Sequence, residues 1–213
     1  MTERNRQYLL MMEDLFRAAG ELKTKIFIWG GLSLDIRAGE FLREHGDLDA
    51  FAENLEEKRE ELAAVLHGMG YETEYIDEFS MLEIRRGLVH ATLNPLKING
   101  KIAEWKHIGN QGSVYFPAAW LDDSPRTFCG VQAYTAGIRF EYAVKTKVSM
   151  LHPTWQLREK DHMAIAQMKK ELDEMRIAEE DIYPWIWSYN PYWFHRGYEE
   201  FFRPTFAWPI EPK

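Results

Sequence analysis

The 213 residues carry 34 acidic side chains against 26 Lys and Arg, a formal net charge of −8 on a chain of ordinary globular hydrophobicity. That balance argues against tracking along extended nucleic acid, where clustered Lys and Arg supply the affinity, but leaves a nucleoside triphosphate open to binding by metal ions and a few local cations. A single cysteine, Cys129, excludes an internal disulfide and reads as a small buried hydrophobe. With no apolar run of about 20 residues and no signal-peptide-like start, the expectation is a cytoplasmic protein with no membrane partner.

Tyr8, Met12, Leu15, Phe16 and Ala19 fall on one stripe, which predicts a first helix over about 5–19. Residues 25–29 (KIFIW) form a short apolar run stopped by Gly30-Gly31, the pattern of a buried strand ending in a tight turn. A short helix is expected over 32–39, with Ser33 and Asp35 near its N-terminus, where polar side chains satisfy free N–H groups. Residues 47–52 (DLDAFA) alternate acidic and apolar and predict a second strand. A helix over about 55–69 turns Leu55, Leu62, Leu66 and Met69 inward and is closed by Gly68 and Gly70.

Residues 71–116 read as consecutive strands (YETEYI, SMLEIRR, LVHATLNPL, KIAEW, SVYF), with Asn99-Gly100 marking a tight hairpin. Residues 127–142 suggest one further strand or a loop, and Ile165, Met168, Leu172 and Met175 then mark one face of a late helix. The tail over 183–208 is dense in Trp, Tyr and Phe and interrupted by Pro184, Pro191 and Pro204, which argues against a continuous helix. Its rings are expected to pack back onto the domain or into a homodimer interface, or to form a wall on which a substrate stacks.

Two carboxylates at i and i+2 on a strand project to one face, so Asp47 and Asp49 converge while Leu48 enters the core. Convergent carboxylates suit Mg²⁺, with water and phosphate oxygens completing its shell. Upstream, Gly30-Gly31 leaves backbone N–H groups open to phosphate, and Ser33 offers a hydroxyl. The segment as a whole is GG-x-x-x-D followed by R-x-H-x-D-x-D over residues 43–49.

That combination resembles the signature of polymerase-β-like nucleotidyltransferases, in particular the lincosamide nucleotidyltransferases and aminoglycoside 2″-adenylyltransferases. HPTWQLREKD, ending at Asp161, is similar to a downstream block of the same enzymes, so the likeness covers roughly 25–172. The expected fold is α+β, a mixed twisted sheet flanked by helices, with a catalytic core over 1–142 and a small helical, aromatic-rich region over 143–213. The resemblance implies that Gly30, Gly31 and Ser33 hold the triphosphate with Arg43 and His45 beside it, and that Asp47 and Asp49 ligate Mg²⁺. The implied reaction transfers a nucleoside monophosphate to a hydroxyl of a small, antibiotic-like molecule and releases pyrophosphate.

One element of the pattern is missing. Such enzymes carry a third carboxylate in a V-D-x-H-P-L-like strand; alignment of VHATLNPL on Pro95-Leu96 puts Thr92 there, and threonine is neither a base nor a good metal ligand near neutral pH. Glu83 or Glu104 on adjoining strands could substitute, or His90 could take the proton, its ordinary pKa of about 6.5 suiting a general base. A further alternative is a homologue that binds nucleotide but transfers weakly or not at all; another is a toxin-like transferase acting on RNA or protein. Lys145 is the first candidate for neutralising phosphate, ahead of Lys147 and Arg158.

Overall fold

Thr2 opens the first helix by accepting a hydrogen bond from the Asn5 N–H, and α1 (Glu3–Glu21) then buries Tyr8, Met12 and Leu15. The computed structural model describes residues 1–77, 80–107, 112–147, 156–183 and 186–189. After α1 come β1 (Ile26–Trp29), α2 (Gly31–Ala38), β2 (Leu48–Glu53) and α3 (Leu55–Gly68). The strands β3 (Glu72–Ile76), β4 (Met81–Arg86), β5 (Val89–Asn99), β6 (Ile102–His107) and β7 (Gly112–Pro117) follow as a meander. Then come β8 (Arg126–Phe128), β9 (Val131–Thr135), α4 (Ile138–Thr146), α5 (Glu159–Glu174) and β10 (Trp187–Tyr189).

The strands form one mixed sheet in the order β10-β7-β6-β5-β2-β1-β9-β8, with β4 pairing the first half of β5 and β3 pairing β4. This is the expected α+β architecture. Two parallel pairings, β2 with β5 and β1 with β9, sit among antiparallel neighbours. The hairpin at Asn99-Gly100 is present, with Gly100 at φ +61°.

Alternation along the strands divides the core in two. On one face Ile26, Ile28, Leu48, Ala50, Ala91 and Leu93 pack with Tyr8, Met12 and Leu15 of α1 and with Leu62 and Leu66 of α3. On the other, Phe27, Phe51, Trp105 and Phe116 pack with Phe140 of α4 and with Met168 and Leu172 of α5. Phe51 centres an aromatic group there, stacked on Trp29 and tilted against Trp105 and Phe116.

Several local expectations are corrected. Residues 127–142 hold two short strands and the start of α4, whose Phe140 and Val144 belong to the second core. Cys129 is exposed rather than buried: with Gly130 it forms the β8–β9 turn, and both residues have positive φ, +50° and +88°. Met175 is exposed, one step beyond the end of the buried face of α5. Of the aromatic tail Tyr183, stacked on Tyr142 of α4, and the short β10, paired with β7, are described; Trp185 and the expected interface or stacking rings over 190–208 lie outside the described residues. No described helix is long and apolar enough to cross a membrane.

Candidate active site

The register of four strands builds one polar row. Trp29 of β1 pairs with Asp49 of β2, Asp49 with Thr92 of β5, and Thr92 with Glu83 of β4. Directly paired residues share a face, so these four side chains project together, on the face that also carries Phe51. Leu48 and Ala50 point into the opposite core, as the DLDA pattern requires.

At the end of β1 the chain turns at Gly30, whose φ of +78° is open to glycine and costly for other residues. A Cβ added to Gly30 would lie 3.3 Å from Asp49 Oδ2. The glycine turn and the carboxylate therefore lie side by side, with room for little more than a hydrogen between them. Both line a cleft of about 920 Å³ between the sheet, α2, α4 and α5, together with Asp47, Lys145, Lys160 and the apolar Trp29, Trp105 and Met163.

The electrostatics suit a cation. Burial, and then the neighbouring Asp47, push the Asp49 carboxyl up to about 7, while Lys145 and Lys160 pull it down. An acid whose ionisation is opposed by burial and by a neighbouring acid marks a place where a divalent ion lowers the energy. Among the described residues no group of three or more His, Cys, Asp or Glu forms a metal cage. Mg²⁺ does not require one, since one or two carboxylates with water and substrate phosphates are its usual company.

The other expected residues divide into those at the cleft and those held away from it. Arg43 is exposed and presses its guanidinium against Gly31. Lys145 lines the cleft with its Nζ 3.4 Å from Asp161 Oδ1, and Arg158 also binds Asp161 at the start of α5. These two cations hold the Asp161 carboxyl well below the usual carboxylate range.

Ser33 is fully buried, its hydroxyl turned inward between two acceptors, Gly30 O at 2.9 Å and Glu141 Oε1 at 2.6 Å, rather than facing the cleft. His45 is buried behind Gly31, its Nε2 2.6 Å from Asp35 Oδ2 and its Nδ1 without a partner among the described residues. Asp35 and Asn5 pin the loop between α2 and β2: Asp35 accepts from Leu42 N–H, and Asn5 bonds both Arg43 O and the His45 N–H.

Of the three candidates for the missing acid, Glu83 shares the row, two strands from Asp49, and is bound by Arg85. His90 is on the same face but exposed and opposite Arg85. Glu104 is on the wrong face: its neighbour Trp105 packs on Phe51, so Glu104 points the other way, where Ser113 and Tyr115 donate to it.

Glu141, in the first turn of α4, is a site residue outside the sequence motif. It is 1% exposed and accepts from Gly30 N–H at 2.8 Å and from Ser33 Oγ–H at 2.6 Å. Burial raises its carboxyl to about 7, against the pull of Ser33, Lys145 and the Gly30 N–H. The available signal was an acid among apolar neighbours (IRFEYAV), since an acid is rarely fully buried without a partner.

Crowding at the turn makes a direct prediction. A methyl at Gly31 would collide with Arg43 Nη2 and come within 3.2 Å of the His45 ring. Gly31→Ala is expected to lower stability by about 1–3 kcal/mol through overpacking against the buried ring, and to weaken triphosphate binding. Denaturant melts and a nucleotide titration of the same variant check both effects.

A mixed sheet with a glycine turn beside two acids is the arrangement that the sequence resemblance to polymerase-β-like nucleotidyltransferases implies. The family model for aminoglycoside-2″-adenylyltransferases matches residues 11–201, and the chain belongs to that family. The solution structure of the antibiotic-resistance factor ANT(2″)-Ia matches with a TM-score of 0.62 at 17% identity, covering 83% of this chain and 88% of that one. The crystal structure of ANT(2″)-Ia in complex with adenylyl-2″-tobramycin gives 0.61 at 16% identity over 78% and 90%. The lincomycin-bound lincosamide antibiotic adenylyltransferase LnuA gives 0.54 at 22% identity over 79% and 97%. At these identities the likeness speaks for the fold. No curated protein sequence matches the chain significantly.

Proposed function

We propose that this protein transfers a nucleoside monophosphate from a nucleoside triphosphate to a hydroxyl of a small, antibiotic-like molecule. The observation that carries the proposal is the juxtaposition of Gly30 and Asp49 in the lining of one cleft. Phosphate favours the N–H groups at a helix start and a nearby cation; beyond the Gly30 N–H that Glu141 takes, the first turn of α2 begins at Gly31 beside the acids, and the acids invite the cation. Family membership and the structural neighbours, whose names describe antibiotic adenylyltransferases, support the same reading.

Asp47 and Asp49 would hold Mg²⁺, which would offset triphosphate charge and polarise the phosphorus under attack. The chain's own groups then bind and orient the nucleotide. The turn at Gly30-Gly31 receives phosphate oxygens, and Lys145 and Arg43 add positive charge at the cleft. Trp29 and Trp105 supply an apolar wall for the nucleoside or the acceptor.

A second reading, binding without efficient transfer, is favoured by one observation: the residue beside Asp49 on β5 is Thr92. Incubation with α-labelled triphosphates, Mg²⁺ and a panel of hydroxyl compounds that includes tobramycin and lincomycin separates the two. The transferase reading expects label on an acceptor and equimolar pyrophosphate. Tight nucleotide binding with no label transferred to any compound would leave the second reading standing.

A further inference from the structure

We infer that Glu141 is a positioning residue that sets the Gly30-Gly31 turn and, through α4, the placement of Lys145 for the triphosphate. The inference rests on the transferase reading and adds a part that the motif does not contain.

The contacts are specific. Gly30 is the N-cap of α2 and makes no side-chain cap of its own. Its N–H is instead satisfied by a carboxylate 111 residues away in sequence, Glu141 Oε1 at 2.8 Å. The same oxygen accepts from Ser33 one turn into α2, at 2.6 Å. Ser33 has one hydroxyl proton and two acceptors in reach, Gly30 O and Glu141, so its proton couples the turn to α4. Because Gly30 has positive φ and lies against Asp49, any swing of this peptide would move the N–H groups of the turn relative to the carboxylate pair.

The other end of the device is Lys145. It follows Glu141 by four residues, so the two lie one above the other on the same face of α4, and both line the cleft. Glu141 grips the turn below, and Lys145 reaches Asp161 of α5 above. The helix is thereby fixed at both levels, with the ammonium held at the cleft instead of sweeping through solvent. Arg37 of α2 also pairs with Glu171 of α5, so the cleft walls are tied on a second side.

This role makes demands that differ from those of a proton acceptor or a simple countercharge. Positioning needs an acceptor atom at the reach of a glutamate; it does not need a negative charge. Glutamine preserves that reach and the acceptor oxygen, and it matches the neutral form of a carboxyl that burial holds near neutrality. Aspartate keeps the charge but loses one methylene, and its oxygen falls short of the Gly30 N–H. The role therefore orders the variants Gln above Asp. A base or countercharge orders them Asp at or above Gln.

The test is the affinity of a non-hydrolysable triphosphate with Mg²⁺, alongside steady-state transfer, in wild type, Glu141→Gln, Glu141→Asp and Glu141→Ala, with thermal melts of each. The expected result is Gln within about three-fold of wild type. Asp and Ala should lose at least ten-fold in nucleotide affinity, seen as a raised KM for the triphosphate with a smaller change in kcat. Should Glu141→Ala fail to fold, the ranking of Gln against Asp still decides. Asp binding and reacting better than Gln would overturn the inference while leaving the transferase reading intact. So would equal nucleotide affinity across all folded variants. Failure of wild type to bind any triphosphate would remove both.

Discussion

Asp49→Asn is expected to abolish transfer, by at least about 10³-fold in kcat/KM, and at the same time to raise the melting temperature of the metal-free protein at pH 7–8. The two effects have one cause. The Asp49 carboxyl rises from 3.8 to about 7 on folding, because the fold partly buries it beside Asp47. A carboxyl whose pKa is raised in the folded state binds its proton more tightly there than in the unfolded chain. Its contribution to stability is therefore lost as pH climbs from 3.8 towards about 7, and above that the full penalty is in force.

A tenfold change in proton affinity is worth about 1.4 kcal/mol, and discounting for the solvent that reaches this partly exposed group leaves a cost on the order of 2 kcal/mol. The neutral amide removes it, which for a chain of this size amounts to a gain of roughly 4–8 °C. Below pH 4 the difference between variant and wild type should vanish. Thermal melts across pH with and without Mg²⁺ check the account: Mg²⁺ should stabilise the wild type and leave Asp49→Asn unchanged. A variant that is less stable than wild type at pH 8 without metal would contradict it.

Thr92→Asp carries the second large effect, and in the unusual direction of a gain. Thr92 is the strand neighbour of Asp49 on the same face, at the spacing of about 4.8 Å that separates paired strands. An aspartate there would place a third carboxylate beside the pair, where a proton acceptor or further metal ligand can act. General-base assistance is commonly worth 10²–10⁴-fold, and part of that should be recovered: kcat is expected to rise about 10–100-fold with little change in the KM for the triphosphate. The metal-free fold should be less stable, since a third acid joins two that already repel one another.

The companion variant is Glu83→Gln. Glu83 is two strands from Asp49 and already paired with Arg85, so its removal should change kcat by less than about three-fold. If instead Glu83→Gln costs 100-fold and Thr92→Asp gains nothing, Glu83 is the working third acid and releases Arg85 during turnover.

How far the sequence reaches can be seen at particular residues. The DLDAFA alternation gave both the strand and the shared direction of Asp49 and Phe51, because side-chain parity is a local property of a strand. Parity alone could not place Glu104, which was a candidate only as a residue of an adjoining strand. Which face a residue takes depends on register across the β5–β6 hairpin, and the pairing of Leu96 with Trp105 put Trp105 in the core and Glu104 on the reverse side. Ser33 looked like a phosphate donor because it follows the glycine turn, yet α2 rotates it inward, towards an acid 108 residues away. Glu141 was invisible to spacing for the same reason: its partners are far apart in the chain and are brought together by packing of α4 on the second core. Asp35 and His45 were visible as residue types, but their pairing to one another, which anchors the loop ahead of Asp47, needed coordinates.

The most direct measurement of the central claim is calorimetric titration of a non-hydrolysable triphosphate into wild type, Asp47→Asn and Asp49→Asn, with Mg²⁺ and with chelator. Binding by the wild type should depend on Mg²⁺, and each substitution should weaken it at least 100-fold. Equal affinity in chelator, or binding untouched by either substitution, would show that nucleotide is not held by a metal on these two carboxylates.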